Sequence, residues 1–300
     1  MEQRKFGNTG LAVSRLTFGC GAVGGLMTKG DATEQDRAIG WARDHGINFF
    51  DTAASYGNGV SEENLGRALN GNSDGLVIST KVGLSNDDLS DVYGAITRSL
   101  DASLARLRLD HVDIFQLHNT LGRTDFRGTL TIDQIMDAVV PAFDKLRDTG
   151  KVRFLGFTAK GEADDVHKLV SCGVFHSAQV FYNLLVPSAG EPIAANYPSD
   201  DYKLLLETAK DHGVGAIGVR VLAGGALSGS TARHPLGMRD VTPIGSETDY
   251  ATDVKRGLAF MPLVKAGHAG SLIELAIRYV ISNPALPTTE IGIATLDELQ

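Results

Sequence analysis

Short apolar runs and longer amphipathic runs alternate along most of the chain. The short runs are bounded by glycine or polar turns, which is typical of buried strands. The longer runs place apolar residues at helical spacing. The predicted strands are 16–18, 47–51, 76–81, 112–117, 152–158, 178–182, 215–220 and 290–293. The predicted helices are 32–45, 61–71 (with Ser61 as N-cap), 89–107, 132–148, 163–171, 202–211 and 250–282, the last in two pieces.

Eight strands separated by helical crossovers predict a parallel sheet covered by helices, and the number eight fits a (β/α)8 TIM barrel. Residues 5–13 precede the alternation and predict an N-terminal β-hairpin. No proline/serine-rich linker divides the chain, so residues 1–300 are predicted to form one domain. Residues 294–300 are too short for a last covering helix. We therefore expect the natural chain to continue past Gln300, or this end to have been trimmed.

Composition narrows the class of protein. The net charge of −8 argues against a nucleic-acid or anionic-membrane partner. Cys20 and Cys172 are too few for a disulfide framework, and the first residues contain no apolar segment typical of a secretory signal. We therefore expect a cytoplasmic protein. Glycine is the unusual component, with 35 residues among 300, and this excess predicts many tight turns or close backbone approaches.

A glycine-rich segment, 19–24, has the spacing G-x-G-x-x-G after a predicted strand. A dinucleotide fingerprint of the Rossmann type needs the third glycine to open a helix, and residues 25–30 are poorly suited to that. The expected ribose-binding acid should follow by about 20 residues, whereas Asp51 lies further along the chain. We therefore favour a βα loop whose glycines allow close approach to the backbone, with the Rossmann alternative kept open.

Ionisable residues end three successive predicted strands. Asp51 ends the second strand, Lys81 the third, and His118 the fourth, and Tyr56 lies in the loop after Asp51. In a parallel barrel these strand ends meet on the face that holds the active site. Each residue alone has an ordinary structural explanation as a cap, turn former or packed side chain, but their convergence predicts a site. No side chains here have the spacing of metal ligands, so no metal is expected.

The segments that carry this constellation resemble the aldo-keto reductase superfamily over almost the whole chain. The most specific match is 46–53, together with Tyr56-Gly57 and Ser61-Glu62, and residues 4–14 resemble the family's hairpin. The resemblance implies a (β/α)8 barrel. It also implies a nicotinamide-dependent oxidoreductase that reduces an aldehyde or ketone, or oxidises the matching alcohol, with sugars among the candidates.

The resemblance assigns four catalytic roles. Tyr56 is the general acid/base, Lys81 and Asp51 tune it, and His118 orients the substrate carbonyl. A free tyrosine has a pKa of about 10, and we expect the ammonium group of Lys81 to lower that pKa. His118 is expected to donate a hydrogen bond to the developing alkoxide.

Cofactor positions match the family less closely. Gln179 corresponds to the glutamine that binds the nicotinamide carboxamide, and Thr158 stands where a Ser-Asn pair begins. Arg220 replaces a stacking aromatic residue; it is expected either to meet the cofactor phosphates or stack, or to form a salt bridge with a barrel carboxylate. The other positions matched to the cofactor are Gly21, Ala22, Leu222, Gly224, Ile293 and Thr295.

The 2′-phosphate of NADP is normally held by a basic residue after strand eight, and residues 292–300 contain no lysine or arginine. NADP(H) remains the first expectation because it is the family default, and NAD(H) is the close alternative. Val23, Asn119 and Tyr182 are expected to line a polar substrate mouth. A cofactor-binding regulatory subunit without significant catalysis is the alternative function for the same barrel.

Overall fold

The computed structural model describes residues 1–122, 128–245 and 248–300. Within those residues, eight parallel strands close into a barrel with helices on its outside. This confirms the predicted (β/α)8 architecture, and an antiparallel hairpin precedes the barrel as expected. No helix in these ranges is both long and apolar enough to span a membrane.

The hairpin consists of β1 (Gln3–Lys5) and β2 (Ala12–Ser14), and a short strand pair of β7 (Thr120–Leu121) and β8 (Thr129–Leu130) lies outside the barrel. The barrel strands, in chain order, are β3 (Leu16–Gly19), β4 (Phe49–Asp51), β5 (Val77–Val82), β6 (Val112–Leu117), β9 (Val152–Ala159), β10 (Ser177–Phe181), β11 (Gly215–Val219) and β12 (Thr288–Gly292). The ring closes where β12 pairs with β3.

The α-helices are α1 (Leu26–Lys29), α2 (Ala32–Asp44), α3 (Val60–Leu69), α4 (Val92–Leu107), α5 (Ile132–Gln134), α6 (Val140–Arg147), α7 (Ala163–Ser171), α8 (Leu205–Asp211), α9 (Tyr250–Leu258), α10 (Met261–Lys265), α11 (Leu272–Ser282) and α12 (Leu296–Leu299). A π-helical turn, Ile135–Val139, joins α5 to α6, and 3₁₀ turns form at Asp87–Ser90 and Ala223–Ser228. Helix α12 packs near α2, where Leu296 N donates to Glu34 Oε1 at 3.1 Å.

The amino end of the barrel is filled by aromatic residues, which leaves the carboxyl end as the open face. Phe6 from the hairpin and Phe49 from β4 are fully buried, and their rings meet edge to face at 5.8 Å. Gly215 makes this possible, because a Cβ there would lie 2.7 Å from the Phe6 ring. The hairpin therefore plugs the bottom of the barrel and directs any ligand to the opposite mouth.

The structure corrects three local expectations. Ser61 is not an N-cap: Gly59, at φ +94°, takes that position, and the buried Ser61 hydroxyl donates instead to Cys20 O at 2.9 Å. One helical turn, α1, does form after Gly24, with Gly25 as its N-cap. Residues 250–282 form three helices rather than two: one break falls at Gly267, at φ +84°, and the additional break falls at residues 259–260, between α9 and α10. The closed barrel excludes the open Rossmann sheet.

Candidate active site

Neighbouring strands bring the predicted catalytic residues to one end of the barrel. Asp51 is the last residue of β4, Lys81 lies near the end of β5, and His118 follows β6 directly. The parallel pairing of Asp51 with Ser79 keeps the ends of β4 and β5 level. Tyr56, in the turn after β4, reaches the same point. The structure therefore gathers all four residues of the predicted constellation.

The Lys81 ammonium group is fully buried and fully paired. It forms an ion pair with the equally buried Asp51 and donates to Thr52 O at 2.8 Å and to the Tyr56 hydroxyl at 3.2 Å. An ammonium group has three donors, and each has an acceptor here. Burial alone would lower the pKa of Lys81, but Asp51 and Tyr56 outweigh it, so the pKa is raised and the lysine stays charged.

Asp51 is held by donors as well as by Lys81. Ser79 Oγ donates to Asp51 Oδ1, and Gln116 Nε2 donates to the same oxygen at 3.0 Å. Both donors are buried side chains, Ser79 on β5 and Gln116 on β6. The carboxyl group is therefore fixed in orientation.

Tyr56, the predicted general acid/base, has a pKa that differs from the sequence-based expectation. Its pKa is raised to about 12, chiefly because burial disfavours the phenolate. Lys81 does lower the pKa, as predicted, but burial together with Glu290 and Asp51 overcomes this effect. The expectation of a net lowering is therefore wrong for this state of the site, and Tyr56 carries its proton at neutral pH.

His118 stands beside Tyr56 as a neutral imidazole. The two rings meet edge to face with centroids 5.8 Å apart. Burial, and then the charges of Lys81 and Lys160, lower the pKa of His118 to about 3. Its Nδ1 lies 3.4 Å from Ser55 Oγ. When Ser55 donates, the imidazole proton lies on Nε2, which leaves that nitrogen as a donor.

Gln179 and Thr158 occupy paired positions on β10 and β9, as the cofactor expectation requires. Thr158 Oγ1 donates to Gln179 Oε1 at 3.5 Å. Gln179 Nε2 donates to Glu290 Oε2 at 2.9 Å, a partner that sequence reasoning missed. Glu290 Oε2 accepts from the amide nitrogen and Thr158 donates to the amide oxygen, so the two partners together fix the orientation of the Gln179 amide.

Arg220 follows β11 directly and has a left-handed backbone conformation, at φ +58°. It forms no salt bridge with any residue in the described part of the chain, so the expected ion pair with a barrel carboxylate is not seen there. Its Nη1 is buried with no hydrogen-bond partner in the same ranges. Burial, and the nearby Arg233, lower the pKa of Arg220. An unpaired buried guanidinium group is what an anionic ligand would satisfy.

The turn after Arg220 is a glycine cradle. Gly224 and Gly225 take φ values of +67° and +105°, and Leu222 caps the 3₁₀ turn that contains them. Arg233 Nη1 donates to Gly224 O at 2.6 Å and anchors the turn. Successive backbone groups in such a turn suit an anion such as a pyrophosphate.

The remaining predicted cofactor positions line the loop after β3 and the end of the chain. A Cβ on Gly21 would lie 3.5 Å from the Tyr56 ring, so this loop, which also holds Ala22 and Val23, passes over the catalytic tyrosine. Ile293 O accepts from Leu26 N at 3.1 Å and joins the two segments. Thr295 caps α12 through its side chain.

Two residues predicted to contact substrate have polar groups engaged elsewhere. Asn119 is buried and bridges Leu84 and Gly128, with bonds to Leu84 N at 2.9 Å and Gly128 O at 3.0 Å. Tyr182 is buried and stacks on Tyr279 at 5.1 Å. In the described structure neither forms a hydrogen bond with the catalytic group, so their substrate role stays a prediction.

Sequence reasoning missed four polar residues at the site: Ser55, Ser79, Gln116 and Glu290. A signal was available for Gln116, which lies between Phe115 and Leu117 in a predicted strand, because a polar residue at such a position needs a buried partner. Within residues 1–122, 128–245 and 248–300, no three His, Cys, Asp or Glu side chains form a candidate metal site.

Comparison with known proteins agrees with the fold and identifies the family. The model of the Aldo/keto reductase family matches residues 15–300. An L-galactose dehydrogenase from Arabidopsis thaliana is 30% identical over 313 residues, with 100% of this chain and 86% of the relative covered. A probable voltage-gated potassium channel subunit beta from the same plant is 28% identical, with 100% of this chain and 89% of the relative covered.

A solved aldo-keto reductase from Bacillus halodurans, in its holo form, shares the fold with a TM-score of 0.71 at 23% identity. The alignment covers 100% of this chain and 88% of that one. The family match spans more than half of the chain, so the chain belongs to the aldo/keto reductase family of oxidoreductases.

Proposed function

We propose that the protein is a nicotinamide-dependent oxidoreductase that reduces an aldehyde or ketone, with Tyr56 as proton donor. The observation that carries the proposal is the buried chain of contacts from Asp51 through the Lys81 ammonium group to the Tyr56 hydroxyl, the last at 3.2 Å. A neutral His118, whose ring meets the Tyr56 ring edge to face at 5.8 Å, supplies a donor for the substrate oxygen.

The chain's own residues divide the chemistry in a simple way. A bound nicotinamide cofactor supplies the hydride. As negative charge develops on the carbonyl oxygen, the Nε2–H of His118 can stabilise it, and the Tyr56 hydroxyl transfers its proton to that oxygen. Lys81 then stabilises the phenolate left on Tyr56, and Asp51 keeps Lys81 charged and in place.

The residues present fit such a cofactor. Buried Arg220 Nη1 lacks a partner in the described ranges, and the Gly224–Gly225 turn offers an anion cradle beside it. Gln179 and Thr158 stand where the carboxamide would be held. The loop at Gly21 and Ala22, together with Leu222, Ile293 and Thr295, would contact the rest of the cofactor.

Cofactor preference is proposed as NADP(H), with NAD(H) as the alternative. Residues 292–300 contain Asp297 and Glu298 and no basic residue. A carboxylate suits a ribose hydroxyl better than a phosphate. The acidic residues after strand eight therefore support NAD(H), whereas the usual cofactor of the family supports NADP(H).

Reduction uses the protonated form of Tyr56, and the pKa of about 12 means that the free site holds that form at neutral pH. Oxidation of the matching alcohol is the same reaction in reverse and starts from the phenolate. Polar carbonyl compounds, sugars among them, are the proposed substrates, and the similarity to an L-galactose dehydrogenase supports that class.

A second candidate function is a cofactor-binding regulatory subunit without significant catalysis. The similarity to a potassium channel beta subunit favours it. Catalytic activity is favoured by the presence of all four predicted catalytic residues, Asp51, Tyr56, Lys81 and His118.

The experiment that decides between them is a paired titration with NADPH and NADH, followed by a panel of aldehydes, ketones and sugars with the preferred cofactor. If the protein is an enzyme, we expect oxidation of the cofactor that depends on the presence of at least one carbonyl compound. Tight cofactor binding with no oxidation across the panel would support the regulatory subunit instead.

A further inference from the structure

Glu290 is a carboxyl group in the barrel mouth that the proposed chemistry does not use. It lies on β12 in register with Thr17 of β3, and its Oε2 accepts from Gln179 Nε2 at 2.9 Å. The side chain crosses Gly19, where a Cβ would lie 2.9 Å from Glu290 Cγ and Oε1. Gly19 is paired with Asp51, so this gap in β3 lets the two carboxyl groups approach each other.

Charged and titratable groups face Glu290 from several strands. Asp51 lies on β4, Lys81 lies on β5, and Arg220 follows β11. The charge of Glu290 also raises the pKa values of Tyr56 and Cys20. Burial, and then Asp51, raise the pKa of Glu290 to about 8, while Lys81 and Arg220 oppose the rise.

The position of the proton follows from the hydrogen bonds. Two buried carboxyl groups that approach each other across Gly19 repel when both are ionised, which favours a proton on one of them. Asp51 already accepts from Ser79, Lys81 and Gln116. The ammonium group of Lys81 is paired with Asp51, whereas Glu290 accepts the amide Nε2–H of Gln179 and forms no ion pair in the described part of the chain, so the proton belongs to Glu290.

We propose that Glu290 is a positioning residue that holds a proton beside Asp51, and so limits the negative charge next to Lys81 to a single carboxylate. The consequence for catalysis rests on the proposed function. Reduction places negative charge on the substrate oxygen and then on Tyr56. When Glu290 gives its proton to solvent, a second carboxylate charge opposes both steps.

The first test is infrared spectroscopy of the protein without cofactor or substrate, which does not depend on catalysis. The C=O stretching band of a protonated carboxylic acid should be present at about pH 6 and lost by about pH 10, with a midpoint near 8. The band should be absent in Glu290→Gln and unchanged in Glu63→Gln, which alters an exposed glutamate. A Glu290→Gln spectrum identical to that of wild type would overturn the proposal.

A second variant keeps the test decisive if Glu290→Gln does not fold. Asp51→Asn removes the charge that helps to hold the proton, so the midpoint of the band should fall by more than about one pH unit. An unmoved midpoint would show that the titrating acid is not beside Asp51, and would also overturn the proposal.

The kinetic test compares pH profiles of carbonyl reduction. In wild type, kcat should fall about tenfold as pH rises through 8. Glu290→Gln mimics the protonated form and should keep the rate seen at lower pH, whereas Glu63→Gln should follow wild type. An equal fall of kcat with rising pH in wild type and in Glu290→Gln would contradict the proposal. If no carbonyl compound is reduced at all, the proposed function fails while the infrared result still decides the protonation of Glu290.

Discussion

The ammonium nitrogen of Lys81 lies 3.2 Å from the phenolic oxygen of Tyr56, yet the pKa of that phenol is raised to about 12. Burial exceeds the attraction of the lysine because Asp51 already compensates the lysine charge. The lysine therefore does not ionise the tyrosine in advance. It holds the hydroxyl in place and stabilises the phenolate only once the proton has left.

Removing Lys81 should destabilise the protein more than removing the whole ion pair. Lys81→Met leaves the buried Asp51 carboxylate without a cation, which should lower the free energy of unfolding by about 3–5 kcal/mol. The double variant Asp51→Asn/Lys81→Met should lose less, because no uncompensated charge remains. Denaturant unfolding of both variants provides the measurement. Equal losses in the single and double variants would contradict the buried pairing.

His118 should work as a neutral donor throughout the physiological pH range. Because its pKa is about 3, the kcat profile should show no step near pH 6.5, where an ordinary histidine titrates. His118→Gln should lower kcat about 100-fold. A wild-type step near pH 6.5 that disappears in His118→Gln would show that the imidazole is charged in part of that range.

The same histidine should make stability depend on pH. Below pH 6.5 His118 binds a proton in the unfolded chain but stays neutral in the folded protein. Stability is therefore lost as pH falls from about 6.5 towards 3. The loss is at most about 1.4 kcal/mol per pH unit. The measurement is the free energy of unfolding at about pH 7 and at about pH 5. The difference between the two values should be smaller in His118→Gln than in wild type.

Glu290 should give a slope of opposite sign. Between the ordinary glutamate pKa of 4.5 and about 8, the folded protein holds a proton that the unfolded chain releases. The stabilisation is complete below pH 4.5 and is lost as pH rises to 8, by at most about 1.4 kcal/mol per unit. Glu290→Gln should flatten this slope, while Glu63→Gln should not. Parallel slopes in the two variants would contradict the raised pKa.

Arg220 should show opposite effects on stability and binding. Arg220→Met removes a buried guanidinium nitrogen that lacks a partner in the described structure, so the ligand-free protein should lose little stability or gain some. Cofactor affinity should fall by about 10- to 100-fold through the lost charge-assisted hydrogen bonds. Arg233→Met is the comparison, because Arg233 is bonded to Gly224 O and Met238 O and its removal should destabilise the turn. Unchanged cofactor affinity in Arg220→Met would remove this residue from the binding site.

The strand pattern predicted the barrel because both depend on the same alternation of buried strands and amphipathic helices. The residues 112–117 were predicted as a strand and form β6 with the same bounds. Local caps were harder. Ser61 has the chemistry of an N-cap, but the left-handed Gly59 before it takes that role. The choice depends on backbone geometry and on a tertiary bond to Cys20 O, neither of which a local pattern contains.

The grouping of Asp51, Lys81 and His118 was predictable because each lies at or next to the carboxyl end of a strand. The balance of their pKa values was not. The sequence pattern predicts that Lys81 and Tyr56 meet, but the depth of burial decides whether the pKa of the phenol rises or falls. Glu290 was missed for a related reason: only the barrel closure between β12 and β3 brings it across Gly19 to Asp51.

The central claim is that Tyr56 donates the proton in carbonyl reduction. The direct test is kcat for a carbonyl compound that wild type reduces, measured in Tyr56→Phe and in Tyr93→Phe, with cofactor affinity measured separately by fluorescence. Tyr93 lies on α4 outside the barrel and serves as the control. We expect Tyr56→Phe to lose about 10²–10⁴-fold in kcat with cofactor affinity retained, and Tyr93→Phe to match wild type. Wild-type turnover in Tyr56→Phe would contradict the mechanism.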